Sequence, residues 1–300
     1  MNARQEWLTA RKTGIGGSDV AAILGLSKWR TPYSVWQDKI GQGAEIEDNP
    51  AMKWGRNLEP VVRQEYAEQT GRVVLQPADM LRHPAHSFML ANLDGMTEDR
   101  RVVEIKTARS ANGWGEPGTD QVPQDYLFQV QHYMAVTGFP VSDVAVLIGG
   151  SDFRIYEVPA DPELQEMMIE AEAAFWQRVL DNNPPDPVTM ADAIAKYGRF
   201  SRPDAVTADD GIKAAVLAIK DIKEQISILE ASEEEAKAII FKAMADRDTL
   251  VDTNGTPLAT WKTQAGSKRF DSTALKAAHP DTYAEFLKQG EPTRRFLLKV

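Results

Sequence analysis

Apolar and polar positions follow two different periods along the first part of the chain. Helical spacing is clearest in AMKWGRNLEPVVRQEYAEQTG, in QVPQDYLFQVQHYMAVTG and over residues 162–180. Between these helices, several segments are rich in β-branched and apolar residues and are bounded by turn residues, which is typical of strands. These segments are RVVLQ, FMLANLDG, RRVVEIKTA and the hairpin pair VSDVAVLIGG and DFRIYEVP. Their order predicts an α/β sandwich around a central mixed β-sheet flanked by helices.

A proline-rich segment, DNNPPDP, separates this pattern from a different one. We therefore predict a first domain over residues 1–187 and a C-terminal extension over residues 188–300. The extension begins with apolar side chains at helical spacing, which predict one long helix or a helical hairpin with a break near Ser232. Beyond it, an Asn-Gly turn between two apolar runs predicts a β-hairpin. A short helix and a final strand in TRRFLLKV would complete a small α+β unit.

Composition excludes several kinds of chemistry. The chain has no cysteine, which excludes disulfides, thiolate nucleophiles and iron–sulfur clusters. Its net charge of −10 arises in the first 187 residues, which carry 27 acidic against 17 basic side chains. Binding of a polyanion would therefore need a locally basic groove or bound cations. No apolar run is long enough for a membrane span and no signal peptide is evident, so a cytoplasmic protein without a membrane anchor is expected.

Acidic and basic side chains meet on two of the predicted strands. Because side chains alternate along a strand, Glu104 and Lys106 in VVEIKT project from one face. Asp94 ends the preceding strand, so pairing of the two strands would bring Asp94 beside Glu104. Carboxylates suit Mg²⁺ or Mn²⁺, and a neighbouring lysine can stabilise charge that develops on a phosphate. This pattern predicts metal-assisted phosphodiester hydrolysis. A surface hairpin with an ordinary ion pair is the alternative.

Three further features support a nuclease, and each has a simpler interpretation. Glu59 lies on a predicted helix, where it either supplies a third carboxylate or is a solvated helix residue. Gln129 and Tyr133 share one helix face, which either contacts a nucleic-acid backbone or packs on the sheet. The GIGGSD segment enters a helix N-terminus, where backbone N–H groups favour anions. Arg11 and Ser18 would complete a pocket for a terminal phosphate there; otherwise the segment is a simple helix cap with flexible glycines.

Five motifs make the chain resemble a known family. R-x-x-G-I-G-G-S-D, L-E-P, L-D-G, E-I-K-T and Q-V-Q-H-Y-M occur within residues 4–180 in an order and spacing similar to those of the YqaJ/lambda-exonuclease family of phage recombination nucleases. That family belongs to the PD-(D/E)XK superfamily, and the resemblance implies a restriction-endonuclease-like core. It implies Mg²⁺-dependent 5′→3′ degradation of one strand at double-stranded DNA ends. The remaining 3′ single-stranded DNA would serve an annealing partner.

The resemblance also assigns roles to individual residues. Metal ligands would be the carboxylates Asp94, Glu104 and Glu59 and the carbonyl of Ile105. The catalytic set would be completed by Lys106, which assists the attacking water, and by the motif glutamine Gln129. The 5′-phosphate and the DNA would be contacted by Arg11, Ser18 and Tyr133.

Members of the family can form ring-shaped trimers, so the resemblance implies a possible homo-oligomer, namely a trimer. The extension over residues 188–300 goes beyond the family core, and its long helix would either mediate oligomerisation or block the ring. Two other functions fit the same residues: a structure-specific or nicking DNA endonuclease on the same core, and a catalytically silent DNA-binding recombination protein.

Overall fold

The computed structural model of the chain describes residues 9–43 and 48–299. These residues form two compact units, of which the first ends at Lys196 and the second begins at Tyr197. Up to this boundary the elements are β1 Ile15–Gly16, α1 Gly17–Ile23, α2 Pro32–Lys39, α3 Pro50–Thr70, β2 Val74–Leu75, β3 Leu81–Arg82, β4 Met89–Ala91, β5 Gly95–Thr97, β6 Arg101–Ala108, α4 Gln124–Thr137, β7 Val141–Ile148, β8 Asp152–Pro159, α5 Pro162–Leu180 and α6 Met190–Tyr197. The second unit contains α7 Asp210–Met244, β9 Thr249–Val251, β10 Pro257–Thr260, α8 Ser272–Ala278 and α9 Pro280–Glu285.

A five-stranded mixed sheet forms the centre of the first unit, in the order β2-β5-β6-β7-β8. Strands β6 and β7 are parallel, and every other neighbouring pair in this sheet is antiparallel. Because a tight turn cannot join parallel neighbours, the connection from β6 to β7 is long enough to carry α4. The predicted architecture of a central mixed sheet flanked by helices, with a long C-terminal helix, is confirmed.

The side chains of β6 alternate between two helical layers. Ile105 packs in a cluster with Tyr66 of α3 on one face of the sheet. Val102 packs in a cluster with residues of α4 on the opposite face. Glu104 and Lys106 stand at even positions like Val102, so they face α4. The strand therefore buries apolar side chains on both faces and presents its charged pair to a single helix.

The segment FMLANLDG does not form one strand as predicted. Met89–Ala91 pairs with β1 and β3 in a separate three-stranded sheet, whereas Gly95–Thr97 joins the central sheet beside β6. Asp94 lies in the short link between the two sheets. Since Gly95 pairs with Val103 in antiparallel register, Asp94 still comes to lie beside β6 at the level of Glu104.

Helix α3 runs without interruption through Pro60, although proline commonly kinks or ends a helix. The Asn49 side chain caps its first turn by accepting from the N–H of Met52 at 3.0 Å. Gly71 ends the helix in the left-handed conformation, with φ of 67°. The missing N–H of Pro60 costs one helical hydrogen bond, which the capped ends and the packing of Tyr66 on the sheet offset.

Helices α1 and α4 approach each other closely because residue 17 is glycine. A Cβ atom at Gly17 would lie 2.7 Å from Cε1 of Tyr133 and 2.9 Å from the carbonyl oxygen of Gln129. Both distances are shorter than van der Waals contact, so no side chain fits there. This glycine of the GIGGSD segment therefore serves helix packing, and it fixes α1 against the helix face that carries Gln129 and Tyr133.

The second unit begins with α7, a single helix of 35 residues. No break occurs at Ser232, whose hydroxyl donates to the carbonyl of Ile228 at 3.0 Å and so remains within the helix. The predicted hairpin is confirmed, because β9 pairs antiparallel with β10. In the described part of the chain, no helix has the length and apolar character needed to cross a membrane.

The predicted final strand in TRRFLLKV is wrong. Residues 293–299 form neither a helix nor a strand. Strand preference depends on a neighbouring strand to pair with, and this segment bonds elsewhere: the N–H of Arg294 donates to the carbonyl of Gly198 at 2.8 Å.

We expect Gly17→Ala to lower the free energy of unfolding by about 1–3 kcal/mol, because the added methyl group must displace α1 from α4. Urea denaturation of the full chain measures this. Gly55→Ala is the matched control, because its Cβ would meet only Thr107 Oγ1 at 3.8 Å and alanine favours a helix interior by about 1 kcal/mol. Equal stability of the Gly17 variant and the wild type would contradict the close approach.

Candidate active site

One cleft gathers every residue that the sequence singled out for chemistry or binding. The cleft has a volume of about 690 Å³. Its lining includes Arg11, Ser18, Glu59, Asp94, Glu104, Ile105, Lys106, Gln129 and Tyr133. These residues come from the segment before β1, from α1, α3, β6 and α4, and from the link before β5. The fold thus brings together side chains that lie far apart along the chain.

Glu104 lies at the bottom of the cleft with only 1% of its surface exposed. Its Oε1 accepts from Gln129 Nε2 at 2.7 Å and lies 2.5 Å from Lys106 Nζ. Its Oε2 is buried and has no hydrogen-bond partner in the protein. A buried carboxylate oxygen without a partner costs about 1–3 kcal/mol or more. The geometry therefore leaves one ligand position of Glu104 open.

Asp94 faces the same edge of β6. Its Oδ2 accepts from the N–H of Ile105 at 2.8 Å. The N–H and C=O groups of one strand residue point to the same edge, so the carbonyl of Ile105 also faces Asp94. Two carboxylates and one carbonyl are hard oxygen donors of the kind that Mg²⁺ and Mn²⁺ prefer. The donor set fits such a cation.

Burial and mutual repulsion make the carboxylic acids in the cleft weaker. Burial, followed by the charge of Asp94, raises the pKa of Glu104 to about 8. Burial also raises the pKa of Asp94. The pKa of Glu59 rises for the same two reasons as that of Glu104. A cation bound between these groups would relieve the repulsion that raises the pKa of Glu104 and of Glu59.

Lys106 remains charged in this environment. Burial lowers the pKa of Lys106, but the charges of Glu104 and Asp94 outweigh burial, and the net shift is upward. Its ammonium donates to Gln129 Oε1 at 3.1 Å and lies 4.5 Å from the ring centroid of Tyr126. The amine is therefore held as a cation in one position.

Glu59 enters the cleft from the other side of the sheet. It lies on α3, and its Oε1 accepts from Arg63 one turn later on the same helix. Consistent with this pairing, no three His, Asp or Glu side chains within residues 9–43 and 48–299 converge as a ready metal site. In the cleft, Asp94 and Glu104 supply two carboxylates, and the carbonyl of Ile105 is a further oxygen donor.

Tyr126 is a site residue that the sequence analysis missed. It lies three residues before Gln129 on α4, so it shares a helix face with Gln129 and Tyr133. On this face the Tyr133 hydroxyl accepts a hydrogen bond from Gln129 Nε2 at 3.1 Å. The same helical spacing that selected Gln129 and Tyr133 would have selected Tyr126. Its contact with Lys106 becomes evident only when α4 is placed over β6.

Asp19 is the second residue that the sequence analysis missed. It is fully buried, and it accepts from Arg30 Nη1 at 2.6 Å and from Lys39 Nζ at 2.7 Å. Arg11 Nη2 lies 3.7 Å from the same carboxylate and donates to Ser18 Oγ at 2.9 Å. Burial raises the pKa of Asp19, but Lys39, Arg11 and Arg30 outweigh burial and hold that pKa well below its usual range.

This cluster changes the interpretation of the GIGGSD segment. The cap of α1 is Gly16, whose N–H donates to Asp19 Oδ2 at 3.2 Å, so Ser18 is not a helix cap. Ser18 is exposed in the first turn and lines the cleft beside Arg11. Arg11, Arg30 and Lys39 outnumber the carboxylates Asp19 and Asp38 that they contact, and Arg11, which lines the cleft, brings positive charge to it that favours an anion.

The fold defines the class of the protein. The alkaline exonuclease LHK-Exo from Laribacter hongkongensis superposes with a TM-score of 0.50 at 24% sequence identity, over 60% of this chain and 94% of that chain. The architecture of the first unit is thus the fold of the phage-type exonucleases.

The family is defined by the sequence as a whole. Residues 6–140 match the YqaJ-like viral recombinase domain. The YqaJ protein of Bacillus subtilis (strain 168) is 36% identical over 306 residues, which cover 99% of this chain and 94% of that protein. The chain belongs to the YqaJ family, as the five motifs predicted.

Replacing Asp19 tests whether the buried cluster depends on its carboxylate. Asp19→Asn leaves the side chain of Lys39, which is fully buried, without its counter-charge. We expect a loss of about 3–5 kcal/mol in the free energy of unfolding, measured in urea. Asp38→Asn is the matched control, because Asp38 is 40% exposed and lies 3.5 Å from Arg30; we expect a loss below about 1 kcal/mol. Equal losses in the two variants would contradict the cluster's role.

Proposed function

We propose that the chain is a metal-dependent exonuclease that degrades one strand of linear double-stranded DNA from its 5′ end. The observation that carries the proposal is the open, buried oxygen of Glu104, which lies beside Asp94 and Lys106 in the cleft. Membership of the YqaJ-like viral recombinase family and the exonuclease fold support DNA as the substrate. The product would be duplex DNA with a 3′ single-stranded end.

The metal site would be built on β6. Asp94, Glu104 and the carbonyl of Ile105 would hold Mg²⁺, with Mn²⁺ as a substitute, and Glu59 would contribute from α3. When bound, the cation would neutralise phosphate charge and lower the pKa of a water molecule. Since both carboxyl groups carry raised pKa values, their affinity for the cation would increase with pH until both are ionised.

The remaining residues would position and stabilise charge. Lys106, held by Gln129 and by the ring of Tyr126, would stabilise the negative charge that grows on the phosphate during hydrolysis. Gln129 contacts Glu104 and Lys106 at the same time, so it would fix the distance between the metal ligand and the cation. Tyr133, hydrogen-bonded to Gln129, would contact the DNA.

The end of the substrate would be recognised by two other residues of the cleft lining. Arg11 and Ser18 would bind the 5′-terminal phosphate through charge-assisted hydrogen bonds. A site for a terminal phosphate favours cleavage from an end over cleavage within a strand. The 3′ single strand left behind would be taken up by a single-strand annealing protein. The trimer implied by the resemblance stays a prediction for which the mass of the full chain in solution is the test.

Digestion of labelled DNA tests the catalytic proposal. We expect the wild type with Mg²⁺ to degrade the 5′-phosphorylated strand of a linear duplex and to spare a closed circle. Glu104→Gln keeps the size of the side chain and removes the carboxylate, so we expect cleavage to fall by roughly 100-fold or more. Glu98→Gln, an exposed glutamate in the turn before β6, is the matched control and should cleave at the wild-type rate.

Other results of the digestion would distinguish the exonuclease from the two alternative functions. Nicking of the closed circle would favour a DNA endonuclease on the same core. Absence of cleavage by the wild type with both Mg²⁺ and Mn²⁺ would contradict the proposal and leave a silent DNA-binding protein. Thermal unfolding gives a readout that needs no substrate: Mg²⁺ should raise the melting temperature of the wild type and leave that of Glu104→Gln unchanged.

The end-recognition proposal is tested by the choice between two substrates. We expect Arg11→Ala to reduce the preference for 5′-phosphate over 5′-hydroxyl ends by about 10- to 100-fold, the value of a hydrogen bond to a charged group. The ratio of kcat/KM on the two duplexes measures it. Arg154→Ala on β8, which is outside the cleft lining, is the control. An unchanged ratio in the Arg11 variant would remove Arg11 from the phosphate site.

A further inference from the structure

Helix α7 of the second unit carries a seven-residue repeat along one side. The core positions of a coiled coil are the first and fourth residues of each heptad. Counted from Ile212, they recur along α7 with no insertion or deletion in the repeat. They are Ile212, Ala215, Ile219, Ile222, Ile226, Leu229, Glu233, Ala236, Ile240 and Ala243. We call these ten residues the seam. All but Glu233 are apolar, and a repeat sustained over more than four heptads is the signature of a coiled coil.

Nine of the ten seam residues are exposed to solvent, and Ile219 is partly buried. Ile222 is 53%, Ile226 is 48% and Leu229 is 68% exposed. A helix of 35 residues is about 52 Å long, so the seam is a long apolar stripe. A stripe of this kind on an isolated helix is typical of an interface, because amphipathic helices gain most of their stability from packing.

The rest of the second unit leaves most of the seam uncovered. Its C-terminal segment lies against another side of α7, where a small cavity is lined by Lys220, Lys223, Glu224, Ser227 and Leu298. None of the four helix residues in this lining belongs to the seam. Helices α8 and α9 have seven and six residues, which is too short to pair with five heptads. As far as the structure describes it, the second unit itself therefore supplies no helix that matches the seam.

We propose that the seam pairs with α7 of a second copy of this chain, as an antiparallel two-stranded coiled coil centred on Ile226 and the partner's Leu229. In a second copy, α7 has the same length and the same seven-residue repeat, so it matches the seam along its whole length. The pairing is symmetric, since Leu229 then faces the partner's Ile226. Such an isologous contact closes on itself and gives a dimer.

Side-chain volumes fit the antiparallel register. Each outer layer then places one isoleucine against one alanine: Ile212 with the partner's Ala243, Ile219 with the partner's Ala236, and Ile240 with the partner's Ala215. A large residue opposite a small one fills the core at constant helix separation. In a parallel pair, each alanine would face its own copy and leave a gap.

Charges favour the same direction. In the antiparallel register Lys223, next to the seam, lies beside the partner's Glu230, and the reciprocal contact repeats the pair. In a parallel pair, Glu233 would face the partner's Glu233 in the core, where like charges repel strongly. The antiparallel arrangement places Glu233 opposite the partner's Ile222 and avoids this repulsion.

Light scattering of the full chain after size-exclusion chromatography tests the pairing. We expect Ile226→Asp, a change at the centre of the seam, to halve the molar mass of the wild type. Ile228→Asp makes the same change at a residue that is 66% exposed outside the seam, and this control should keep the wild-type mass. Any association through the nuclease unit persists in all three proteins. Equal masses of the wild type and Ile226→Asp would overturn the proposal.

The absence of cysteine gives a direct test of the direction. Ile219→Cys and Ala236→Cys occupy the same layer only in the antiparallel pair. We expect a disulfide-linked dimer when the two variants are mixed and oxidised, and little linkage for either variant alone. If each variant alone formed as much disulfide-linked dimer as the mixture does, the antiparallel register would be overturned. Ala231→Cys, outside the seam, should remain unlinked in all mixtures.

Discussion

Burial of the Glu104 carboxyl group between β6 and α4 is the constraint on which the cleft depends. The alternation of β6 directs Glu104 to α4, and the hydrogen bond from Gln129 fixes one of its oxygens. The other oxygen has no partner. Packing of apolar residues on both faces of β6 stabilises a strand that holds this unfavourable group in place. The open oxygen, the raised pKa of Glu104 and the fixed ammonium of Lys106 all follow from that burial.

Asp19 is a buried carboxylate like Glu104, but cationic side chains of the protein compensate its charge. Both carboxyl groups are removed from water, but Asp19 is surrounded by Arg11, Arg30 and Lys39, and its pKa falls. Glu104 has one cationic neighbour and a second carboxylate beside it, and its pKa rises. The protein therefore compensates one buried charge with several cationic side chains and the other with only one. That difference separates a structural carboxylate from a candidate metal ligand.

Local periodicity predicted most of the fold, because packing on one face leaves a repeat of two or 3.6 residues. The common face of Glu104 and Lys106 is such a local property. The division of FMLANLDG between two sheets was not predictable in this way, since each half depends on a different partner strand. Asp19 was missed because its cations come from positions 11, 30 and 39, which only folding brings together. Tyr126 lay within the reach of the helical repeat, but its role required Lys106 beneath it.

The glycine contact between α1 and α4 also has a consequence for the size of the product. Gly17 allows α1 to contact Tyr133 and the backbone of Gln129 directly, so any added side chain would push the two helices apart. Ser18 follows Gly17 on one helix, and Gln129, which holds Glu104, lies on the other. If the chain end and the reacting bond are bound as proposed, the packing of α1 on α4 would set the distance between them, and with it the length of each released fragment.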